Sequence, residues 1–527
     1  MPGKSGLARA ALLITAGGLA SRVLGLVREQ LAAGYFGAGN DVAAFQIADN
    51  VQTLLFDLVV SGMLQAALVP VLVMYAASGD RLQLRRISGA VASVAVLTVG
   101  AACVLGWLFT SEIVQVMTSL GVGDSARPEA TVALTEDLVR IVLPGVLFLA
   151  LGTVLSAVLY SLNEPAGPAT ALAARNLAIV VAIVLFAGSL GVKSMAVGVL
   201  IGGALVAAIQ VPWLLRLGAL PIPNLRLREP AVRQIGRLYL PVFLGLIVST
   251  VQVIVDRNLA WRAEADALGA MRYATTLVQS VLGLVAAAIS LAALPVLATH
   301  FTNRDEERFD QTLLHALRLV TVLILPAVLT LAVLARPVTR LLFEHGETGP
   351  SEARSIAIVL VAYLPGTLFA AFDQILIYAF YARRSTWTPV LVGVGAVGAY
   401  FATAALLSDQ YGAAGLAIAN SVQFVAHTLV LGWLFRNRLS GLLARFLPAL
   451  RWAGAGAILC AAAAFLTSSL VRAATSGLVN EFAAVIVPIA VGGALYLAVM
   501  TRSGIEEIDL VTGRLAAHLP GRRSPAR

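Results

Sequence analysis

The chain has 527 residues, of which 59% are apolar or aromatic and only 12% are charged. An average soluble chain carries roughly 25% charged residues, so this balance excludes both a water-facing globule and a disordered polymer. The formal charge of +9 comes almost wholly from arginine, 35 of the 37 basic residues. These residues punctuate apolar runs, which is a pattern of membrane topology and not of nucleic-acid binding.

A helix crossing the hydrocarbon layer needs about 20 apolar residues. Cutting the chain at clusters of Gly, Pro and charge predicts fourteen such spans: 8–35, 43–76, 86–110, 133–162, 168–190, 194–216, 237–258, 269–299, 314–335, 352–381, 387–408, 412–435, 448–471 and 479–501. None alternates with the period of two that a transmembrane barrel requires, so the fold class is an all-α polytopic membrane protein. The N-terminus starts like a signal sequence, but its apolar stretch continues through Arg22 to about Phe36. That is too long for a cleaved segment, and it is read as a retained first span.

The positive residues set an expected orientation. With the N-terminus in the cytoplasm, inside segments hold 24 of the 37 basic residues and outside segments nine, among them Arg257, Arg272, Arg336, Arg340, Arg354 and Arg472. Four lie within spans: Arg22, Arg28, Arg140 and Arg175. Both termini are therefore expected on the cytoplasmic side of a bacterial inner membrane. The six Trp residues fall near span ends, as an interfacial belt would place them.

An internal repeat organises the spans. Leu143-Pro144-Gly145, Tyr160 and Pro168 recur as Leu364-Pro365-Gly366, Tyr381 and Pro389, every member displaced by the same interval, that from Pro144 to Pro365. Val69-Pro70-Val71-Leu72 recurs as Leu294-Pro295-Val296-Leu297 at a slightly longer one, that from Pro70 to Pro295. Two six-helix copies in parallel orientation follow, a plan suited to alternating access around a central cleft. The expected domains are an N-lobe (1–217), a basic linker (218–236), a C-lobe (237–436), two extra spans (437–501) and a basic tail (502–527).

Several polar residues sit where lipid would reject them. Arg22 lies deep in span 1, with Glu29 seven residues on and on the same face, and Arg28 about 120° away. A structural ion pair with Glu29 or with a neighbouring helix is the alternative to a cavity role for Arg22. Span 2 carries Gln46, Asp49, Thr53, Asp57 and Ser61 at intervals of three and four, and span 8 carries Arg272, Thr275, Thr276, Gln279 and Ser280. Span 7 adds Ser249, Gln252 and Asp256, beside Arg257. A shared polar cavity explains stripes on equivalent spans better than packing between helices does. The candidate substrate-binding residues are Arg22, Arg28, Asp49, Asp57, Arg257, Arg272 and Thr276. His427 reads as a satisfied core histidine, and Asp373 as either a relay or a packing group.

Enzyme machinery is not legible. The two cysteines and five histidines are scattered singly, so no disulfide framework, metal site or cofactor is expected. No phosphate-binding P-loop, GxSxG or HExxH pattern appears. A transporter is the expectation.

The run Ser21-Arg22-Val23-Leu24-Gly25-Leu26-Val27-Arg28-Glu29, then Phe36-Gly37-Ala38-Gly39, Gly62 and Val69-Pro70, resembles the N-terminal signature of the MviN/MurJ-type lipid II flippases. Val255-Asp256-Arg257 and Tyr273-Ala274 resemble the matching part of the second lobe. The resemblance implies two lobes around a cationic cavity, and a groove beside spans 13 and 14 for a polyprenyl tail. It implies lipid II, or a related undecaprenyl-pyrophosphate glycolipid, as cargo, with membrane lipid and cell-wall synthesis proteins as partners and no nucleic acid. Alternatives are another undecaprenyl-linked glycan, or a non-transporting scaffold of envelope assembly. The chain departs from the family pattern at Ala43, where an Asp is usual, at Phe56-Asp57, where an Arg pair is usual, and at Thr275-Thr276, where an Asp-Arg pair is usual.

Overall fold

A computed structural model of the chain describes residues 4–58, 68–77, 79–119, 128–162, 164–225, 229–383, 385, 387–474 and 477–503. Ser61, Gly62, Arg127, Arg226, Arg228 and the tail beyond residue 503 lie outside the described residues. In chain order the helices are α1 (Lys4–Phe36), α2 (Asn40–Phe56), α3 (Val69–Ala77), α4 (Arg81–Leu108), α5 (Thr110–Thr118), α6 (Glu129–Ser161), α7 (Ala166–Leu190), α8 (Lys193–Ala208), α9 (Val211–Arg216), α10 (Pro230–Arg262), α11 (Ala267–Thr302), α12 (Glu306–Val333), α13 (Ala335–Phe343), α14 (Pro350–Ala382), α15 (Trp387–Leu434), α16 (Arg436–Ala474) and α17 (Leu478–Met500). The described residues contain no strand. Nine helical stretches among them are long and apolar enough to cross a membrane, so the chain is a multi-pass all-α membrane protein.

The repeat read from short motifs is a repeat of whole helices. α4 and α12 are both 28 residues long, and each begins behind an aspartate, Asp80 or Asp305, whose carboxylate accepts the backbone N–H of Gln83 or Arg308. The two copies therefore share one N-cap at equivalent positions. α5 and α13 are both nine residues long. α6 and α14 are both 33 residues long, with Pro144 and Pro365 at the same internal position.

A proline inside a helix removes one ladder hydrogen bond and bends the helix. At Pro365 the repair is visible. The Ser421 hydroxyl accepts the N–H of Gly366 at 3.0 Å and donates to the carbonyl of Ala362 at 2.7 Å. It replaces the direct bond between those two backbone groups, which apolar surroundings would otherwise leave unmade.

By its contacts the chain divides into two compact units, residues 1–269 with 345–349, and residues 270–344 with 350–527. This contact boundary falls one span later than the boundary of the repeat, because α10 packs on α5 and α4. In the first unit α6 packs on α2, α4 and α8, and α7 packs on α1 and α8. In the second unit α14 packs on α15 and α12, and the hairpin of α16 and α17 packs on α12. That last seam buries Val322, Ala453, Ala457, Cys460 and Met500, and the Tyr496 hydroxyl donates to the carbonyl of Val322 at 2.6 Å.

Lipid-facing apolar surface is plentiful on the hairpin: Phe465, Leu470, Phe482 and Ile486 are all exposed. Of the tryptophans expected in an interfacial belt, Trp107, Trp387, Trp433 and Trp452 are exposed. Trp261 departs from that expectation, because it is fully buried.

Candidate substrate-binding site

Span 1 places its charges against α7. Glu29 is fully buried, and its Oε1 accepts Arg28 Nη2 at 2.5 Å and Arg28 Nε at 2.9 Å. The third guanidinium nitrogen of Arg28 donates to Asn176 Oδ1 at 3.2 Å. The Asn176 amide in turn donates to the carbonyl and the hydroxyl of Ser21, both at 3.0 Å. Arg28, Glu29, Asn176 and Ser21 therefore form one polar seam between α1 and α7. Glu29, the partner that the alternative reading gave to Arg22, holds Arg28. Arg22 itself is half-buried one and a half turns earlier in the same helix.

Beside Asn176 stands Arg175, which the spacing of polar stripes did not single out. It is half-buried, and its Nε is shielded from solvent with no hydrogen-bond partner among the described residues. Asp49 and Asp57 attract its charge and Arg28 repels it. The backbone around it is tightly held, since a Cβ on Gly202 would stand 2.9 Å from the Arg175 carbonyl and 3.1 Å from its Cγ. Asp49 lies within α2, and Asp57 lies at its C-terminal end, where the helix widens into a π-type turn. Such widening is common at functional positions. Gln46 donates to Asn50 at 3.2 Å, while the fully buried Gln52 amide has no hydrogen-bond partner among the described residues.

In the first unit the structure thus sets Arg28 and Arg175 on the packed helices α1 and α7, Arg28 bonded to Asn176, with Asp49 within α2 and Asp57 at its end. Arg257 is also in that unit, paired with its neighbour Asp256 at 3.5 Å, with its Nε shielded and lacking a hydrogen-bond partner among the described residues. Arg272 and Thr276 belong to the second unit. Arg272 is buried, and Thr276 returns its hydroxyl to the Arg272 carbonyl at 3.1 Å, as Thr275 does to Met271 at 2.7 Å. Those hydroxyl protons are used within their own helix. Among the described residues no group of His, Cys, Asp and Glu is assembled to hold a metal.

Two guanidinium groups inside an apolar helical unit can replace the hydration of a phosphate with charge-assisted, bidentate hydrogen bonds. The carboxylates of Asp49 and Asp57 offset their charge when no anion is present.

The family profile described as "Lipid II flippase MurJ" matches residues 32–492. The chain belongs to the lipid II flippase MurJ family. The probable lipid II flippase MurJ of Vibrio cholerae is 28% identical over 522 residues, which cover 96% of this chain and 97% of the relative. The lipid II flippase MurJ of Burkholderia cenocepacia is 28% identical over 438 residues, 82% of this chain and 84% of the relative. Among solved structures, a lipid II flippase MurJ in an inward closed conformation superimposes with a TM-score of 0.77 at 19% identity, over 96% of this chain and all of that one. An inward-facing multidrug MATE transporter follows with a TM-score of 0.67 at 14% identity, over 80% of this chain and 96% of that one.

Within this MurJ-family chain, Arg175 had a signal that the repeat could have exposed. The equivalent position in the second copy, at the interval that relates Pro144 to Pro365, is the buried Ala396. An arginine in one copy and an alanine in the other marks a position that the shared fold does not require to be charged.

Proposed function

We propose that the chain carries lipid II, a polyprenyl-pyrophosphate bearing a sugar–peptide head, across the bacterial cytoplasmic membrane by alternating access, with both termini in the cytoplasm. The observation that carries this reading is Arg28 bonded to Asn176, with Arg175 next to it on α7 and Asp49 and Asp57 within and at the end of α2, set inside the apolar helices of a chain of this family. A pyrophosphate head loses its hydration in hydrocarbon, and guanidinium groups in a wet cleft replace it. The tail stays in lipid throughout and needs only a lateral opening.

The assigned substrate-binding residues are Arg22, Arg28, Arg175, Asp49 and Asp57 in the first unit, with Arg257, Arg272 and Thr276 as the further candidates. The test is genetic and biochemical together. A cell depleted of its lipid II flippase is expected to regrow when this chain is expressed, and proteoliposomes holding the purified chain are expected to expose lipid II to the opposite face. Confirmed insertion without rescue or lipid II movement would overturn the reading and favour a different undecaprenyl-linked glycan.

A further inference from the structure

A second buried polar group lies in the second unit, on helices that the substrate-binding residues do not use. His427 Nδ1 stands 2.7 Å from Asp373 Oδ1, and both residues are buried. The other ring nitrogen, Nε2, is 3.0 Å from the carbonyl oxygen of Pro389. Asp373 is on α14. Pro389 and His427 lie on the two limbs of α15, which turns at Gly412 with φ 50°. One imidazole therefore ties three membrane segments together.

The protonation of this group follows from its geometry. A carbonyl oxygen only accepts, so Nε2 carries a hydrogen. An imidazole with one hydrogen has a bare lone pair on Nδ1, which a carboxylate oxygen at so short a distance would repel. A second proton must lie between Nδ1 and Oδ1, either as imidazolium and carboxylate or as imidazole and carboxylic acid. Both descriptions give a neutral pair. Without that proton the pair carries one negative charge in an apolar interior, a state that needs water or another cation to persist.

Among the described residues the surroundings bring no other cation to the pair. Asp373 Oδ1 has no hydrogen-bond partner there besides the imidazole. α14 itself brings Tyr378 and Tyr381, whose ring centroids lie 6.1 Å apart. α16 approaches with Phe446, edge-on to Phe372. The arginines of α12 and α13 are engaged elsewhere: Arg308 with Asp305, Arg318 with the Arg445 carbonyl, Arg336 with Glu344, and Arg340 with Glu344 and Glu481.

The repeat shows that the fold does not need this pair. The equivalent positions in the first copy are Gly152 and Val206, and there a Cβ on Gly152 would stand 2.6 Å from Val206 Cγ1. The first copy closes the same crossing with a neutral bridge instead, the buried Gln210 amide donating to the carbonyls of Gly152 and Val206 at 3.0 and 2.7 Å. Pro168 occupies the place of Pro389. Only the second copy has a titratable pair at this crossing.

We propose that Asp373 and His427 form a proton-binding site through which transport is coupled to proton movement across the membrane. Hydronium gives its proton to the pair and leaves as water, and the neutral pair holds α14 and both limbs of α15 together. Release of the proton to water restores the negative pair and frees those segments to move. The proposal rests on the transport reading above, but proton binding can be measured without transport.

The experiment has two readouts on the full-length purified chain. In detergent, a pH jump read with an indicator dye is expected to show one fewer proton exchanged per chain in Asp373→Asn and in His427→Gln than in the wild type. In proteoliposomes, lipid II movement by the wild type is expected to change several-fold when a pH gradient is imposed, and movement by the variants is expected not to respond. Asp373→Gly combined with His427→Val and Leu431→Gln rebuilds the neutral crossing of the first copy, and is expected to remain folded and to be equally insensitive to the gradient. Unchanged proton exchange in all variants, or wild-type movement of lipid II indifferent to the gradient, overturns the proton site. Failure of the wild type to move lipid II, with the proton deficit of the variants intact, overturns the transport reading and leaves proton binding standing.

Discussion

Gly191 and Gly412 hold the same left-handed turn at equivalent positions of the two copies. Their backbone angles are φ 56°, ψ −141° and φ 50°, ψ −127°. Each ends one apolar helix and turns the chain directly into the next, between α7 and α8 in the first copy and between the limbs of α15 in the second. A side chain in this region clashes with its own backbone, so glycine is required by conformation and not by space. At Gly191 an added Cβ would meet nothing within 4 Å.

Replacing either glycine with alanine is therefore expected to destabilise the protein by about 1–3 kcal/mol through backbone strain alone. Gly188 is the control, since it is helical and a Cβ there also meets open space. Gly188→Ala is expected to be neutral or stabilising. Thermal unfolding of the three purified variants in detergent decides this, and equal midpoints for Gly188→Ala and Gly191→Ala would refute the strain argument.

The same pair shows what the sequence made legible. Apolar runs and repeated Leu-Pro-Gly motifs announced a duplicated helical membrane protein, because burial in lipid leaves few other backbone solutions. The break between spans 11 and 12 was legible too, since the chain leaves helical geometry at Gly412, the first residue of the span read as 412–435. In the site, Arg22, Arg28, Asp49 and Asp57 stood out because a charge within an apolar run is costly. Arg175 shared that property but belonged to no stripe. Its neighbours come from α1 and α2, far away in sequence, and only tertiary packing brings them together. His427 was read as a satisfied core histidine, and it does have partners. What the sequence could not supply was that one partner is Asp373, on a different helix.

The segment 345–349 supplies a second steric test. It lies against the end of α1, where Glu347 donates its N–H to the Gly34 carbonyl at 2.9 Å and Thr348 donates its hydroxyl to the Ala33 carbonyl at 2.7 Å. Gly346 has φ 61°, and a Cβ there would fall 1.9 Å from the Gly34 oxygen. Backbone cannot give way as a side chain can. Gly346→Ala is expected to cost about 2–4 kcal/mol, combining left-handed strain with overpacking. Gly34→Ala meets only the His345 ring, at 2.8 Å, which can rotate away. A smaller loss of thermal stability for Gly34→Ala than for Gly346→Ala is the expected result, and the reverse order would refute this docking of the segment.

Arg22 tests the cavity reading of span 1. Arg22→Ala is expected to abolish lipid II movement while leaving the amount of folded protein near that of the wild type, because a cavity cation is lost and no packing surface is. Arg22→Lys is expected to restore only part of the activity, since an ammonium lacks the planar fork that grips a phosphate in two places. Loss of folded protein in both variants would instead make Arg22 a structural ion-pair partner.

Arg175 and Asp57 provide the most discriminating test of the substrate-binding residues. Asp57 and Asp49 both attract the Arg175 guanidinium. With no anion bound, these carboxylates offset the charge of the half-buried cation. An arriving pyrophosphate must displace them, and on leaving it must be displaced by them. Asp57→Asn is then expected to tighten substrate binding and slow turnover, because the phosphate loses a competitor for the guanidinium. Arg175→Ala is expected to weaken binding at least tenfold, the equivalent of about 1.4 kcal/mol for one charge-assisted contact. In Arg175→Ala, a second substitution of Asp57→Asn has no guanidinium to release. The double variant should therefore bind as Arg175→Ala does, with a coupling of about 0.5–3 kcal/mol between the two sites. Affinity measured on detergent-solubilised protein and turnover measured in proteoliposomes complete the cycle. Strict additivity of the two substitutions would separate Asp57 from the cationic site and leave it as a group that only packs α2 against its neighbours.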